Sequence, residues 1–379
     1  MTEPLRVAHV VGTAGASGVE SHLLALLPAF DPAQVRPTLF VPGEGVLVER
    51  MRSRGVAVEF GAPTRKLAIG ELPALARRLV GRFDLVHAHG PRVVFWAVCA
   101  ARLARVPAVV ASMHELRWQT LEPGPRREVW IALERWALRR AKRLITVSEA
   151  SRRELVARWP ELAAITSTVY GSAPLLLEAE PLVHARPPVA GESLRLVTVG
   201  RFSWPRGYDL LFPALAELGA RGVAWTLDVV GSGPLEEELR AQVARLGIGD
   251  RVRWLGRDAD LTTVLPRAHA FVVATRAEAF GIAVLEAMAF GLPVLAPAVG
   301  SLLEVVADGE SGRLVPFAPE ATLPARLADV LAQWAAEPAE PARLGAAGAA
   351  RARREFSPGA LAAGVTAVYR EALAAPPAR

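Results

Sequence analysis

Residues 270–296 read AFVVATRAEAFGIAVLEAMAFGLPVLA, from Ala270 to Ala296. An apolar run, 270–274, ends in the polar turn Thr275-Arg276-Ala277-Glu278. Gly281 opens a helical pattern over 282–290, Gly291 closes it, and Pro293 begins a second apolar run over 293–296. Apolar run, helix, apolar run is a βαβ unit, and it requires a parallel sheet covered on both faces.

The same alternation extends in both directions. Toward the C-terminus it predicts a strand at 312–315 and a final amphipathic helix at 358–374. Toward the N-terminus it predicts strands at 252–255, 225–230 and 194–199, with a helix over 234–246. Residues 175–193 break the rhythm and, with Pro174, Pro181, Pro187 and Pro188, read as a linker. Before them strands are predicted at 5–11, 37–41, 56–60, 85–88, 108–113, 144–147 and 168–170. A helix is expected over 19–27 and another after Ser148, a good N-cap. The fold class is therefore α/β, with two doubly wound, Rossmann-like domains facing across a cleft. The expected boundaries are 1–173, a linker at 174–193, a second domain at 194–356, and a C-terminal helix at 357–379 that packs back on the first domain.

Bulk properties agree. A single core stops growing near roughly 250–300 residues, so a chain of 379 needs two. With 52% hydrophobic and 22% charged residues, the chain belongs with globular proteins rather than disordered ones. Its net charge of +6 suits an anionic ligand but is too small and too evenly spread to imply nucleic acid. Cys99 is the one cysteine, which excludes an internal disulfide; it reads as a small buried hydrophobe. No basic segment followed by an apolar core precedes the first strand, and breakers interrupt the longest uncharged stretch, 287–303. A cytoplasmic protein without a membrane span is expected.

Five constellations bear on chemistry. Gly200-Arg201-Phe202-Ser203-Trp204-Pro205-Arg206-Gly207 follows a strand, where two guanidinium groups can converge on a diphosphate. A turn with two solvated arginines is the plainer reading of that segment alone. Glu278-Ala279-Phe280-Gly281 leads into a helix that aims free N–H groups at an anion. Glu286 lies within the apolar part of that helix, so a fixed partner is expected for it. The two carboxylates suit pairs of hydroxyls, on ribose and on a sugar. The loop 12–18 carries three glycines but neither the full dinucleotide spacing nor a Walker lysine.

His87, His89 and His114 stand at the ends of two predicted strands, and three such rings can hold a metal. With only Glu115 beside them, no metal is expected, and His87 is read as a hydrogen-bonded core residue. A helix over 126–143 would place Val129, Leu133, Trp136 and Ala137 on one face and Arg135, Arg139 and Lys142 on another. That basic face offers peripheral contact with an anionic membrane; an ordinary domain helix with a solvated side is preferred.

These segments resemble the family-four nucleotide-sugar glycosyltransferases of the GT-B fold. The resemblance rests on Val199-Gly200-Arg201 with Arg206 to Leu211, on 230–235, on 252–256 and above all on 278–294. In the N-terminal half it rests on Ser17 to Glu20, on 84–89 and on 141–148. It implies retaining transfer from a nucleoside diphosphate sugar, most simply a UDP- or GDP-sugar, with no tightly bound cofactor and no obligatory metal. By position, Arg201 and Arg206 would neutralise the diphosphate, Glu278 would hold the donor sugar and Glu286 the ribose. The backbone of Phe280, Gly281 and Ile282 would contact phosphate or sugar. Ser17 and Gly18 would make room from the N-terminal side, Gly231 and Arg257 would line the donor site, and His114 would touch the sugar. The family usually has lysine where Arg206 stands, and Gly171-Ser172 replaces its usual Asn-Gly.

The acceptor is not encoded in any motif; a glycan, a lipid-linked precursor or a small natural product fits. A pyridoxal-phosphate phosphorylase of similar fold is excluded, because no lysine follows Lys142. A sugar-nucleotide epimerase and a non-catalytic nucleotide-sugar-binding protein are the alternatives.

Overall fold

The computed structural model of the chain describes residues 3–14, 18–63, 69–114, 124–177, 185–186, 189 and 191–375. It divides into two compact units. One comprises residues 1–177 and 357–379, the other residues 178–356.

The first unit contains an all-parallel sheet of seven strands: β1 (Leu5–Val11), β2 (Val35–Val41), β3 (Ala57–Phe60), β4 (Leu85–His89), β5 (Ala108–Met113), β6 (Arg143–Thr146) and β7 (Thr166–Thr168). Their spatial order is β3-β2-β1-β4-β5-β6-β7, so the winding reverses between β1 and β4. Alternate residues of β1 feed opposite layers. Ala8 and Val10 join one apolar cluster with α3 (Leu72–Leu79), α4 (Pro91–Leu103) and α5 (Pro125–Leu138). Val7 and Val11 join another with α1 (Gly18–Leu26), α2 (Val46–Ser53) and the last helix. That helix, Pro358–Ala374, starts where the Ser357 side chain accepts from Ala360 N at 3.2 Å and proline occupies the first turn. It buries Leu361, Val365 and Tyr369 on the first sheet.

The second unit has six strands: β8 (Leu194–Val199), β9 (Trp225–Val230), β10 (Val252–Gly256), β11 (Ala270–Val272), β12 (Val294–Pro297) and β13 (Arg313–Val315). Their order is β10-β9-β8-β11-β12-β13, again all parallel, with the reversal between β8 and β11. Open sheets of this kind bind ligands beyond the strand ends at such a reversal.

Three local expectations change. The strand expected at 168–170 is Thr166–Thr168, because the β6 ladder pairs Leu144 with Thr166. The helix expected over 126–143 is Pro125–Leu138; Arg139 caps it, Ala141 N turns back to Leu138 O, and Arg143 already belongs to β6. Its inward residues are Ile131, Glu134, Ala137 and Leu138, whereas Val129 and Trp136 are exposed. Cys99 is half-buried on α4 rather than fully enclosed, and desolvation raises its thiol pKa.

Candidate functional site

In the second unit, two loops at the winding reversal are laced together. The loop after β8 forms a short turn, Trp204–Arg206, and then passes through Gly207 at φ 65°. A side chain on Gly207 would place Cβ 1.9 Å from Ala274 O, so only glycine lets the loops meet. From the loop after β11, Thr275 Oγ1 and Arg276 N each donate to Pro205 O at 2.8 Å. The Arg276 guanidinium donates to Trp204 O at 2.9 Å and packs over the Trp204 ring at 4.6 Å. It also pairs with both Asp209 and Glu320, at 2.7 and 2.9 Å. With only 7% of its side chain exposed, it ties the two loops to the second unit's periphery, and the carboxylates raise its pKa further.

This lacing puts two of the expected donor-site side chains in contact. The Arg206 guanidinium is ion-paired with the Glu278 carboxylate. Glu278 is held from behind, since its carbonyl accepts from Ser301 N at 3.1 Å and Ser301 Oγ at 3.2 Å. Arg201 is exposed on the same loop and makes no ion pair among the described residues. Gly281, at φ 89°, caps the helix Ile282–Ala289, where Glu286 is buried. Phe280 is spent on packing, edge-on to Phe356 with ring centres 6.0 Å apart.

Gly231 has a structural explanation of its own: a Cβ there would lie 2.0 Å from Gly200 O. Its N–H also donates to Gly256 O at 3.0 Å, joining the ends of β8, β9 and β10. Arg257, just past β10, is exposed beside Asp258 at 3.6 Å.

In the first unit the histidines gather more densely than expected. His9 of β1 stands opposite His87 of β4 in the ladder, and His89 opposite Ser112 of β5. Sheet parity therefore turns His9, His87, His89 and Ser112 toward α1 and the last helix. His87 Nδ1 lies 2.6 Å from Tyr369 Oη and His87 Nε2 lies 2.7 Å from Ser112 Oγ. Tyr369 Oη is 3.3 Å from His9 Nε2, and His9 Nδ1 is 3.0 Å from His89 Nε2. His89 Nδ1 continues to His114 Nε2 at 3.2 Å. His22 of α1 packs edge-on to His114, ring centres 4.6 Å apart.

Burial holds His9 down at about 3 and His22 at about 4, and His87, His89 and His114 well below the usual imidazole value. These rings are neutral at physiological pH. The reading of His87 as a hydrogen-bonded core residue agrees with its contacts. His9, His22 and Tyr369 went unread. The available signal was a histidine inside the apolar run of β1, at the height where parallel register meets His87. Gly18 is the exposed first residue of α1 with open space around it, and Ser17 lies outside the described residues.

The basic surface of α5 is also rearranged. A groove between α5 and the helix Glu149–Arg158 is lined by Arg135, Trp136, Arg139, Arg140, Arg158 and Trp159. Arg140 stacks over Trp136 at 4.0 Å, and Arg135 pairs with Glu161 at 2.6 Å. Lys142 is not part of it, because its Nζ donates to Ala375 O at 3.0 Å. Among the described residues no helix is long and apolar enough to cross a membrane.

Comparison with known proteins follows this division. Residues 16–167 match the family described as Glycosyltransferase Family 4, and residues 182–351 match Glycosyl transferases group 1. The chain is 30% identical over 317 residues to the phosphatidyl-myo-inositol mannosyltransferase of Mycolicibacterium smegmatis, covering 79% of this chain and 77% of that protein. It is 30% identical over 258 residues to the 2-deoxystreptamine glucosyltransferase of Streptomyces kanamyceticus, covering 63% and 65%. In fold it is similar to Anabaena HepE solved with UDP-glucose, with a TM-score of 0.81, 19% identity, and coverage of 97% and 99%.

Proposed function

We propose, given that the chain belongs to the family-four glycosyltransferases of the GT-B fold, that it moves a sugar from a nucleoside diphosphate donor to an acceptor hydroxyl with retention at the anomeric carbon. The observation that carries this reading is the Arg206–Glu278 pair at the reversal of the second sheet. It sets a cation suited to a diphosphate beside a carboxylate suited to sugar hydroxyls. As the donor bond breaks, negative charge grows on the diphosphate. Arg201, Arg206 and the first N–H groups of the helix beginning at Ile282 stabilise that charge without reorganising.

Glu278 takes the sugar hydroxyls, Glu286 the ribose, and the backbone of Phe280, Gly281 and Ile282 the phosphate. Gly231 and Arg257 line the donor side. By the family resemblance, Ser17 and Gly18 make room for the diphosphate and His114 touches the donor sugar; no metal is required for transfer. The donor is a UDP- or GDP-sugar, a reading supported by the UDP-glucose bound to HepE.

The acceptor binds the first unit and is a lipid-linked or glycan precursor, with a small natural product second. The phosphatidyl-myo-inositol mannosyltransferase and the 2-deoxystreptamine glucosyltransferase support these classes respectively. The groove with four arginines and two tryptophans supports contact with an anionic surface. It replaces the wider helix 126–143 as the candidate contact.

A thermal-shift panel of UDP-, GDP-, ADP- and dTDP-sugars tests the donor assignment, followed by release of the nucleoside diphosphate with candidate acceptors. Glu286→Ala should lose donor affinity; full affinity in that variant contradicts the ribose role. Arg139→Ala with Arg140→Ala should weaken binding to phosphatidylglycerol vesicles, and unchanged binding sinks the surface contact.

A further inference from the structure

We infer that His22, His89 and His114 form a binding site for one divalent transition-metal ion, of the zinc class, in the first unit. The argument is an accounting of ring nitrogens. Four buried histidines and the partly buried His114 offer ten, and each enclosed nitrogen needs a partner. His87 spends both on Tyr369 and Ser112, and His9 spends both on Tyr369 and His89. Neither has a lone pair to give, so the set His9, His87 and His89, although close, is a hydrogen-bonded network rather than a metal site.

His22, His89 and His114 differ, because His22 Nε2 is unspent and the contact between His89 Nδ1 and His114 Nε2 can be exchanged for a shared ion. Their facing nitrogens lie within 4.8 Å of one another. His22 Nε2 is buried with no hydrogen-bond partner, on a side chain 2% exposed. His89 Nδ1 and His114 Nε2 face each other at 3.2 Å. Zinc–nitrogen bonds of about 2.0–2.1 Å at tetrahedral angles put ligand nitrogens about 3.3 Å apart, so this edge already fits and His22 needs to close by on the order of 1 Å. Imidazole suits zinc, cobalt and nickel, and all three rings are neutral, the form that ligates.

The rest of the cluster then acquires a direction. With the ion on His89 Nδ1, His89 Nε2–H donates to His9 Nδ1, and His9 Nε2–H to Tyr369 Oη. Tyr369 O–H donates to His87 Nδ1, and His87 Nε2–H to Ser112 Oγ. A ligating histidine whose other nitrogen is anchored in this way is the usual outer-shell arrangement. Three protein ligands leave a fourth position for water or another ligand. His114 is shared with the donor-site reading, but zinc binding is measured without donor, so either reading can fail while the other stands.

The test uses the full-length protein, stripped with chelator and dialysed against Zn2+. One equivalent of zinc per chain is expected, and Co2+ in its place should give the intense visible absorption of four-coordinate cobalt. His22→Gln should weaken zinc binding at least about tenfold, as should Tyr369→Phe through the outer shell. His269→Gln, in the other unit, should bind as the unaltered protein does. Substoichiometric zinc, an octahedral cobalt spectrum, or unaltered affinity in a folded His22→Gln variant would each overturn the assignment. Far-UV circular dichroism of each variant separates lost ligation from lost fold.

Discussion

The Arg206 guanidinium and the Glu278 carboxylate, 72 positions apart in the chain, are ion-paired at the point where the second sheet reverses its winding. Each is also the group expected to hold a different part of the donor. On the proposed roles, the donor diphosphate takes the place of Glu278 beside Arg206, and Glu278 exchanges an ion pair for hydrogen bonds from sugar hydroxyls. Arg206→Ala leaves Glu278 uncompensated and removes a cation from the leaving diphosphate. Its kcat/KM should fall by about 10²–10³, the range for losing one group aimed at developing charge. Arg206→Lys keeps the charge without the fork and should lose far less. Steady-state release of the nucleoside diphosphate measures both, and equal losses would contradict the charge argument.

Arg276 predicts a stability effect with a functional echo. It is the side chain that holds the two donor-site loops to Asp209 and Glu320. Arg276→Met fills the volume but strands two carboxylates and the Trp204 carbonyl. A loss of about 2–3 kcal/mol is expected from urea unfolding, given the cost of breaking charge-assisted hydrogen bonds. The donor KM should rise together with that loss, because Arg206 is displaced with its loop.

Acid should weaken the second unit through His269. Its ring is buried, Arg195 N donates to its Nδ1 at 3.3 Å, and desolvation first and Arg195 second hold its pKa at about 4. The folded state thus resists a proton that the unfolded chain accepts near pH 6.5. The contribution is fully present above that pH and is lost as pH falls toward 4. Up to about 3 kcal/mol is at stake for a shift of this size. His269→Gln should flatten the difference in unfolding midpoint between pH 7.5 and pH 4.5. An unchanged slope would show that His269 does not control it.

Tyr369 joins the last helix to the first sheet through His87 and His9. Tyr369→Phe preserves the ring and removes one hydroxyl, leaving two buried nitrogens without that partner. A cost of about 1–3 kcal/mol follows. Deleting residues 357–379 should do much more, because it uncovers the face against which Leu361, Val365 and Tyr369 pack. Differential scanning calorimetry distinguishes the two, with the first unit melting early in the truncated chain.

Strand and helix order was legible because central strands such as β4 and β5 are buried on both faces and read as largely apolar runs, whereas β3 and β10 lie partly exposed. Register was not, and register is what turns His9 toward His87. The inward face of α5 was misread for a related reason. Glu134 is buried there while Trp136 stays outside, and a polarity pattern assigns both the wrong way round. At the proposed donor site, Arg201, Arg206 and Glu278 were visible as residue types in loops after strands, and Glu286 as a glutamate within an apolar helix. Arg276 was not, since its role depends on Asp209 and Glu320, which come close only after folding. Gly231 has a structural reason beside its proposed role, because the carbonyl of Gly200 leaves no room for a side chain there.

The return of the last helix to the first unit has a consequence for how the chain is made. Residues 1–177 leave the ribosome ahead of the second unit, yet the helix that caps their sheet is translated only after it. At about 5–20 residues per second, the intervening second unit holds this step back by roughly 10–40 s. During that interval His9 and His87 lack Tyr369, and the sheet face beneath the missing helix is open to water. The second unit is therefore complete in sequence before the first, although the first is made ahead of it.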